Sequence, residues 1–372
     1  MRKEVKMKKS KHSNYHKIVA FVLIAIVIVS AVGFVVNGWQ PILDSEENGE
    51  KVPNEGDAND STGQNQGATD EAPVVTTPKY YNYLTGLEVS EEASKKMPFA
   101  FLTDPSMHLY GVSSSPLTVE FPLEDGKTRL LVYSDNITAL GKIGAMKPTR
   151  GYISNLIKHL GGGLITLGCD DIIEYDKTDV KAQEITLSVG SGFYYTEMEN
   201  AFSNGDLIRA ALGSLEISTE LASLPRLPFV FSDLDAEAQI FDASAIRVSI
   251  PHGNSATELL YDQNSHRYTY CKAGALKTDM LNAATVEYDN VFILLADTVT
   301  HETADGTELI VNTVGSGVGY YLTGGTYTAI RWVNDGEIFT FYDTNDNKLT
   351  VNRGTSYVSF MKSASAGELS IS

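Results

Sequence analysis

The chain has 372 residues, with 29 lysines and arginines against 47 aspartates and glutamates, for a net charge of −18. Nucleic acid and anionic membrane surfaces both demand a basic footprint, so this balance argues against them as partners. The two cysteines, Cys169 and Cys271, form neither a CxxC pair nor a zinc pattern.

Residues 1–17 are basic, with Arg2, Lys3, Lys6, Lys8, Lys9, Lys11 and Lys17 against Glu4 alone. Nineteen uncharged residues follow at 18–36, opening at Ile18 and closing at Val36 (IVAFVLIAIVIVSAVGFVV). As a helix this run spans about 28 Å, close to the roughly 30 Å of a bilayer's hydrocarbon core. The basic tail then keeps the N-terminus in the cytoplasm and sends the remainder across, with Trp39 at headgroup level. The triplet Ala31-Val32-Gly33 also fits a signal-cleavage site. The apolar run outlasts it and exceeds a usual signal core, so an uncleaved single-pass helix is expected. The first cysteine after it is Cys169, too late for N-terminal lipidation.

Residues 37–79 read as a disordered acidic linker. From 41 to 79 acids outnumber bases nine to two, and large apolar residues are too sparse for a core. A coil of that length reaches roughly 35 Å, enough to hold the C-terminal domains away from lipid. The rest is long enough for two domains.

The expected class is α+β, with an α/β domain at 80–235 followed by a mainly antiparallel β domain at 236–362. Apolar runs predict strands at 98–102, 117–121, 128–133 and 164–167. Ile153, Leu156, Ile157 and Leu160 share one helical face at 151–160, stopped by Gly161-Gly162-Gly163. A second helix is predicted at 205–216, with 218–224 extending it or forming another. From 239 onward, short strands at 246–250, 256–261, 268–271, 291–295, 308–313, 318–322, 327–333, 338–342 and 357–361 alternate with Gly and Asn turns. The last ten residues, 363–372, are small and polar and are expected to fray. A disulfide between Cys169 and Cys271 would join the two domains, although two buried free thiols are the favoured reading.

No motif supplies a reaction. Gly315-Ser316-Gly317-Val318-Gly319 and Gly190-Ser191-Gly192 resemble phosphate loops in composition only, because no helix follows; a tight connection needing positive φ explains the first. His301-Glu302 lacks the second histidine of HExxH. Asp343 to Asn347 imitates an EF-hand loop, but Lys348 stands where glycine is required and Gly354 where glutamate is required. Asp170, Asp171, Glu174 and Asp176 form an acidic knot, either a solvated loop or a loose cation site. There is no GxSxG elbow, and His108, His159, His252, His266 and His301 are scattered. Cys169 lies among acids, which raises a thiol's pKa, so it reads as structural. No cofactor is implied and no metal site is assigned.

One patch stands against the acidic background: Lys142, Lys147 and Arg150, just before the helix at 151–160. Cations there oppose the helix dipole unless an anion lies between them. That anion is either a bound ligand or a carboxylate of the protein itself.

Several stretches together carry a resemblance: YLTGLEVS at 83–90 with PFAF at 98–101, GKTRLLVY at 126–133, IGAMKPTRGY at 143–152, and LIRAAL at 207–212 with LPFVF at 227–231. VGSGVG at 314–319, Trp332, Phe341-Tyr342-Asp343 and Arg353-Gly354-Thr355 continue it. In this order the chain resembles the YerB-like lipoprotein family, two-domain bacterial envelope proteins of unknown function. The resemblance implies location and architecture rather than a reaction. The chain departs from the family in replacing the lipid anchor with a transmembrane helix. The family's two-arginine segment survives as Lys147 and Arg150, and Arg129 joins Lys142, Lys147 and Arg150 as a ligand-binding candidate.

The expectation is a single-pass, membrane-anchored extracytoplasmic protein. It acts as a non-catalytic binding or adaptor module whose partner is an envelope protein or wall fragment. The alternative is a cell-envelope hydrolase or small anionic-ligand-binding protein with a site near Lys147 and Arg150.

Overall fold

A computed structural model describes residues 78–170, 183–196, 200–253, 255–303 and 306–372. The basic tail, the apolar run at 18–36, residues 37–77 of the linker, and Asp171, Glu174 and Asp176 lie outside them. Among the described residues no helix is long and apolar enough to cross a membrane.

After a one-turn helix α1 (Glu91–Ser94), four apolar runs build the first half as β1 (Phe99–Thr103), β2 (Leu117–Pro122), β3 (Thr128–Ser134) and β4 (Ile143–Met146). β3 lies antiparallel between β1 and β2, and β4 joins the far side of β1. Every residue of β1 to β4 is buried, which is why these runs are largely apolar on both faces. Helix α2 (Gly151–Leu160) then brings the chain back to β5 (Gly163–Thr166), parallel to β1. Its Ile153, Leu156, Ile157 and Leu160 share a core with Ala100, Leu102, Leu131 and Tyr133, one face of the sheet. Gly161 ends the helix at φ +80°, and a Cβ there would meet Pro225 Cγ at 2.2 Å. β6 (Gln183–Thr186) adds parallel to β5, and β7 (Tyr194–Tyr195) pairs with β8 (Ala201–Ser203), which pairs with β4. Helix α3 (Gly205–Ser214) is capped by Asn204, whose side chain accepts the Leu207 N–H at 2.9 Å. Its Ile208 and Leu212 join Phe99, Phe101 and Val132 on the sheet's other face.

The second half follows with β9 (Ala243–Ser244), β10 (Arg247–Ile250), β11 (Thr257–Asp262), β12 (Arg267–Lys272) and β13 (Asn290–Ala296). Next come the hairpin β14 (Thr298–Thr303) and β15 (Gly306–Val311), then β16 (Gly315–Thr323), β17 (Thr326–Asn334), β18 (Phe339–Tyr342), β19 (Ser356–Lys362) and β20 (Ser370–Ile371). β19 lies parallel both to β13 and to β2, with Tyr357 opposite Thr118 and Val358 opposite Phe292. Strands on both sides of residues 235 and 236 therefore belong to one sheet of fourteen described strands. A second sheet containing β10, β11, β12 and β20 supplies Val248, Leu259, Tyr268 and Tyr270 to the core that holds Phe101 and Ile293. The architecture is mostly β, with few helices.

Several expectations change. Residues 218–224 are not helical: Met97 and Leu221 donate their N–H groups to Thr219 and Lys95 carbonyls, a cross-strand exchange that a helix would forbid. The final residues do not fray. A 3-10 turn (Ser363–Glu368) leads to β20, where Ile371 pairs with Val248. In the glycine-rich stretch, Gly315 enters β16 with the positive φ expected, at +129°, whereas Gly317 lies within the strand and serves close approach, because a Cβ would meet Leu295 O at 2.4 Å and Trp332 Nε1 at 2.5 Å. β2 alternates in sequence, yet Thr118 and Glu120 are as buried as Val119, because the second sheet covers the face that alternation assigns to water.

Candidate functional site

The anion required at the start of α2 is supplied by the protein itself. Arg150, at the N-cap of α2, is buried and donates Nε to Asp170 Oδ1 at 2.7 Å, Nη2 to Glu124 Oε1 at 2.8 Å and Nη1 to Glu308 Oε1 at 3.2 Å. Arg129 on β3 reaches both oxygens of Asp170 at 3.2 Å and the Pro148 carbonyl at 2.6 Å. Burial works against the charge of Arg150, but Asp170 and Glu124 outweigh it and hold its pKa above the ordinary arginine value. Burial likewise pushes Glu124 up, and backbone donors together with Arg150 keep it below the usual carboxylate range. Glu308 belongs to β15, so this network ties the two halves of the chain together.

The other two predicted cations lie at opposite ends of β4, a five-residue step of about 16 Å along a strand. Lys147 follows the strand and sits 3.8 Å from Asp104, a half-exposed pair of little energetic weight. Lys142 precedes the strand and opens into a cavity of about 460 Å³. Its Nζ lies 4.3 Å from the ring centroid of Tyr110 and 4.1 Å from that of Phe202. The two rings stand edge to face, 5.7 Å apart at 87°, so the ammonium fits the corner they make. Among the described residues no carboxylate lies within ion-pairing distance of Lys142. His108, Thr196 and Asn200 complete the polar lining. Thr196 Oγ1 is buried without a hydrogen-bond partner among the described residues. Lys142 was legible in the sequence by its charge. Tyr110, Thr196 and Phe202 were not, because they come from separate segments with no common spacing.

A second polar cluster also carried no sequence signal. Glu120 on β2 is fully buried and accepts from Lys272 Nζ at 2.8 Å, Thr257 Oγ1 at 3.0 Å and Tyr270 Oη at 3.1 Å, with Tyr357 Oη as a fourth donor. Burial pushes its pKa up, and Lys272 leads the contacts that bring it below the ordinary value. His252 is buried with both ring nitrogens unpartnered among the described residues, and burial pushes its pKa down to about 4. The fully enclosed position of this cluster makes it part of the core.

The remaining motifs resolve structurally. Asp343 accepts the N–H groups of Asn345 and Asn347 at 2.8 and 2.9 Å, within its own hairpin turn. His301 lies opposite Glu308 in the β14–β15 hairpin. Asp170, the described member of the acidic knot, is held by both arginines, and no metal-ligating group of three or more occurs among the described residues. Cys169 and Cys271 are not joined by a disulfide, and Cys271 is buried.

Residues 246–358 match the C-terminal domain of a protein family of unknown function, DUF3048. Among solved structures, the crystal structure of the YerB protein from Bacillus subtilis superposes with a TM-score of 0.68 at 18% identity. The match covers 79% of this chain and 100% of that one. No curated protein matches. The domain match and the shared fold support the YerB-like family, one of unknown function, that the sequence motifs resemble.

Proposed function

We propose that this chain is a membrane-tethered, extracytoplasmic binding module of the cell envelope, and that its ligand carries an anion. The tether is the apolar run at 18–36, with the basic tail in the cytoplasm and the acidic segment 37–79 as spacer. The length of that run and the charge asymmetry around it support this placement. The Lys142 pocket is the observation that carries the binding role. Its ammonium is pinned between two aromatic rings in an open cavity, while Arg129 and Arg150 are already saturated by protein carboxylates. Among the described residues this ammonium has no carboxylate partner, so an incoming anion meets an uncompensated positive charge. The module captures either a wall fragment or an acidic segment of an envelope protein.

Two measurements test this reading. Fractionation of cells expressing the full chain should place it in the membrane pellet, with a C-terminal epitope cleaved by protease added outside. A protected epitope refutes the topology. Titration of the purified full chain with N-acetyl-glutamate and inorganic phosphate should show saturable binding that Lys142→Met weakens at least tenfold. Identical isotherms for both proteins refute the site.

A further inference from the structure

We infer that the Lys142 pocket takes an acidic saccharide, a hydroxyl-rich ring bearing a single carboxylate; this rests on reading the pocket as an anion site. The walls narrow the ligand by what they can and cannot offer. The Tyr110 and Phe202 ring faces are both occupied by the Lys142 ammonium, at 4.3 and 4.1 Å. The face of each ring that meets the ammonium is closed to stacking, so a ligand held there through a planar base or another aromatic ring loses that contact. The rest of the lining sets a few polar groups beside apolar Met107 and Ala145. Thr196 Oγ1 is buried and unpartnered among the described residues, and the Asn200 side chain and His108 line the same space. A hydroxyl donates and accepts, and an amide does both, so these groups match a partner that is itself dense in hydroxyls.

Charge count narrows the ligand further. Lysine offers a compact point charge, suited to one carboxylate oxygen. Lys142 is the pocket's one lysine or arginine among the described lining residues, on a chain with a net charge of −18. That field repels a polyanion at long range and leaves one local cation to hold it, whereas a ligand with one negative charge per ring meets its counter-charge without that penalty. The volume, about 460 Å³, falls within the 300–1,000 Å³ range of small-molecule sites and accommodates one or two sugar rings. Thr196 and Asn200 are separated in sequence by Glu197, Met198 and Glu199, so the titration also covers variants of those two acids.

Isothermal titration of the full chain with glucuronosyl-N-acetylglucosamine, its methyl ester and polyglutamate tests the inference. The acid should bind saturably and at least tenfold more tightly than the ester or polyglutamate. Lys142→Met should weaken it tenfold or more. Thr196→Val, which leaves charge unchanged, should weaken it about threefold with an unaltered unfolding midpoint. Equal affinity for acid and ester overturns the inference, as does full binding by Lys142→Met. Binding that emerges only in Glu197→Gln/Glu199→Gln also overturns it, because the ammonium's partner is then the chain's own carboxylate. If N-acetyl-glutamate or phosphate binds through Lys142 while the saccharide does not, the saccharide assignment falls and the anion site stands. If nothing binds through Lys142, both fall.

Discussion

The carboxylate of Glu120 and the ammonium of Lys272 meet at 2.8 Å in the core, with side-chain exposures of 0% and 3%. Glu120 comes from β2 and Lys272 from β12, 152 residues later, so the pair joins the large sheet to the sheet that covers it. Thr257, Tyr270 and Tyr357 supply the remaining donors to the carboxylate. Such a pair stabilises little against an apolar replacement, but its register is demanding.

Removing one partner should therefore cost far more than removing both. Lys272→Met leaves a buried charge uncompensated and should destabilise the protein by about 3–5 kcal/mol in urea unfolding. Glu120→Gln/Lys272→Met should recover most of that loss. A double variant no more stable than Lys272→Met would show that the pair does not act as a unit.

The same core should make stability acid-sensitive. His252 is neutral in the folded state, since burial, with a smaller contribution from Lys272, outweighs Glu120 and pushes its pKa to about 4. The unfolded chain binds a proton near pH 6.5, so between about 6.5 and 4 unfolding takes up protons and stability falls as pH drops. Across that window the loss amounts to about 3 kcal/mol. His252→Phe should flatten it. Glu120, held low, loses its own contribution as pH falls below the ordinary carboxylate value of 4.5. Unfolding midpoints measured from pH 7 to pH 3 resolve the two windows.

Arg150 should behave as a structural residue. Arg150→Lys replaces a fork reaching three carboxylates with a single point donor and should destabilise by about 2–4 kcal/mol. Anion binding at Lys142 should be unchanged at temperatures where the variant remains folded. A variant with native stability and lost binding would return Arg150 to the ligand site.

Gly161→Ala tests the end of α2. The position has φ +80°, and the new Cβ would lie 2.2 Å from Pro225 Cγ. Backbone strain costs on the order of 1–3 kcal/mol, and the displaced Pro225 adds to it. A thermal midpoint within about 1 °C of wild type, where such a cost predicts a shift of several degrees, would show that the turn relaxes freely.

Helix α2 and the strands of the second half were legible because periodicity is a local property. Ile153, Leu156, Ile157 and Leu160 declare one face whatever they pack against, and Gly161 marks the stop. The charge of Lys142 was legible too, as was the family resemblance carried by short motifs in order. The burial of Glu120 was not. Its alternation in β2 describes a strand with one wet face, and only the distant strands β11 and β12 make that face dry. The edge strand β20 was hidden for a related reason, since Ser370 and Ile371 gain order by pairing with β10 rather than from their own composition.

The cationic patch divides along the same line. Composition and spacing established an acidic chain with Lys142, Lys147 and Arg150 clustered ahead of α2, and Arg129 joined them as a candidate. Which of them remains available was decided by partners 158 residues away in Glu308, and by rings at Tyr110 and Phe202 that meet Lys142 only in the fold. Charge is a property of the residue, whereas pairing is a property of the neighbours that folding brings to it.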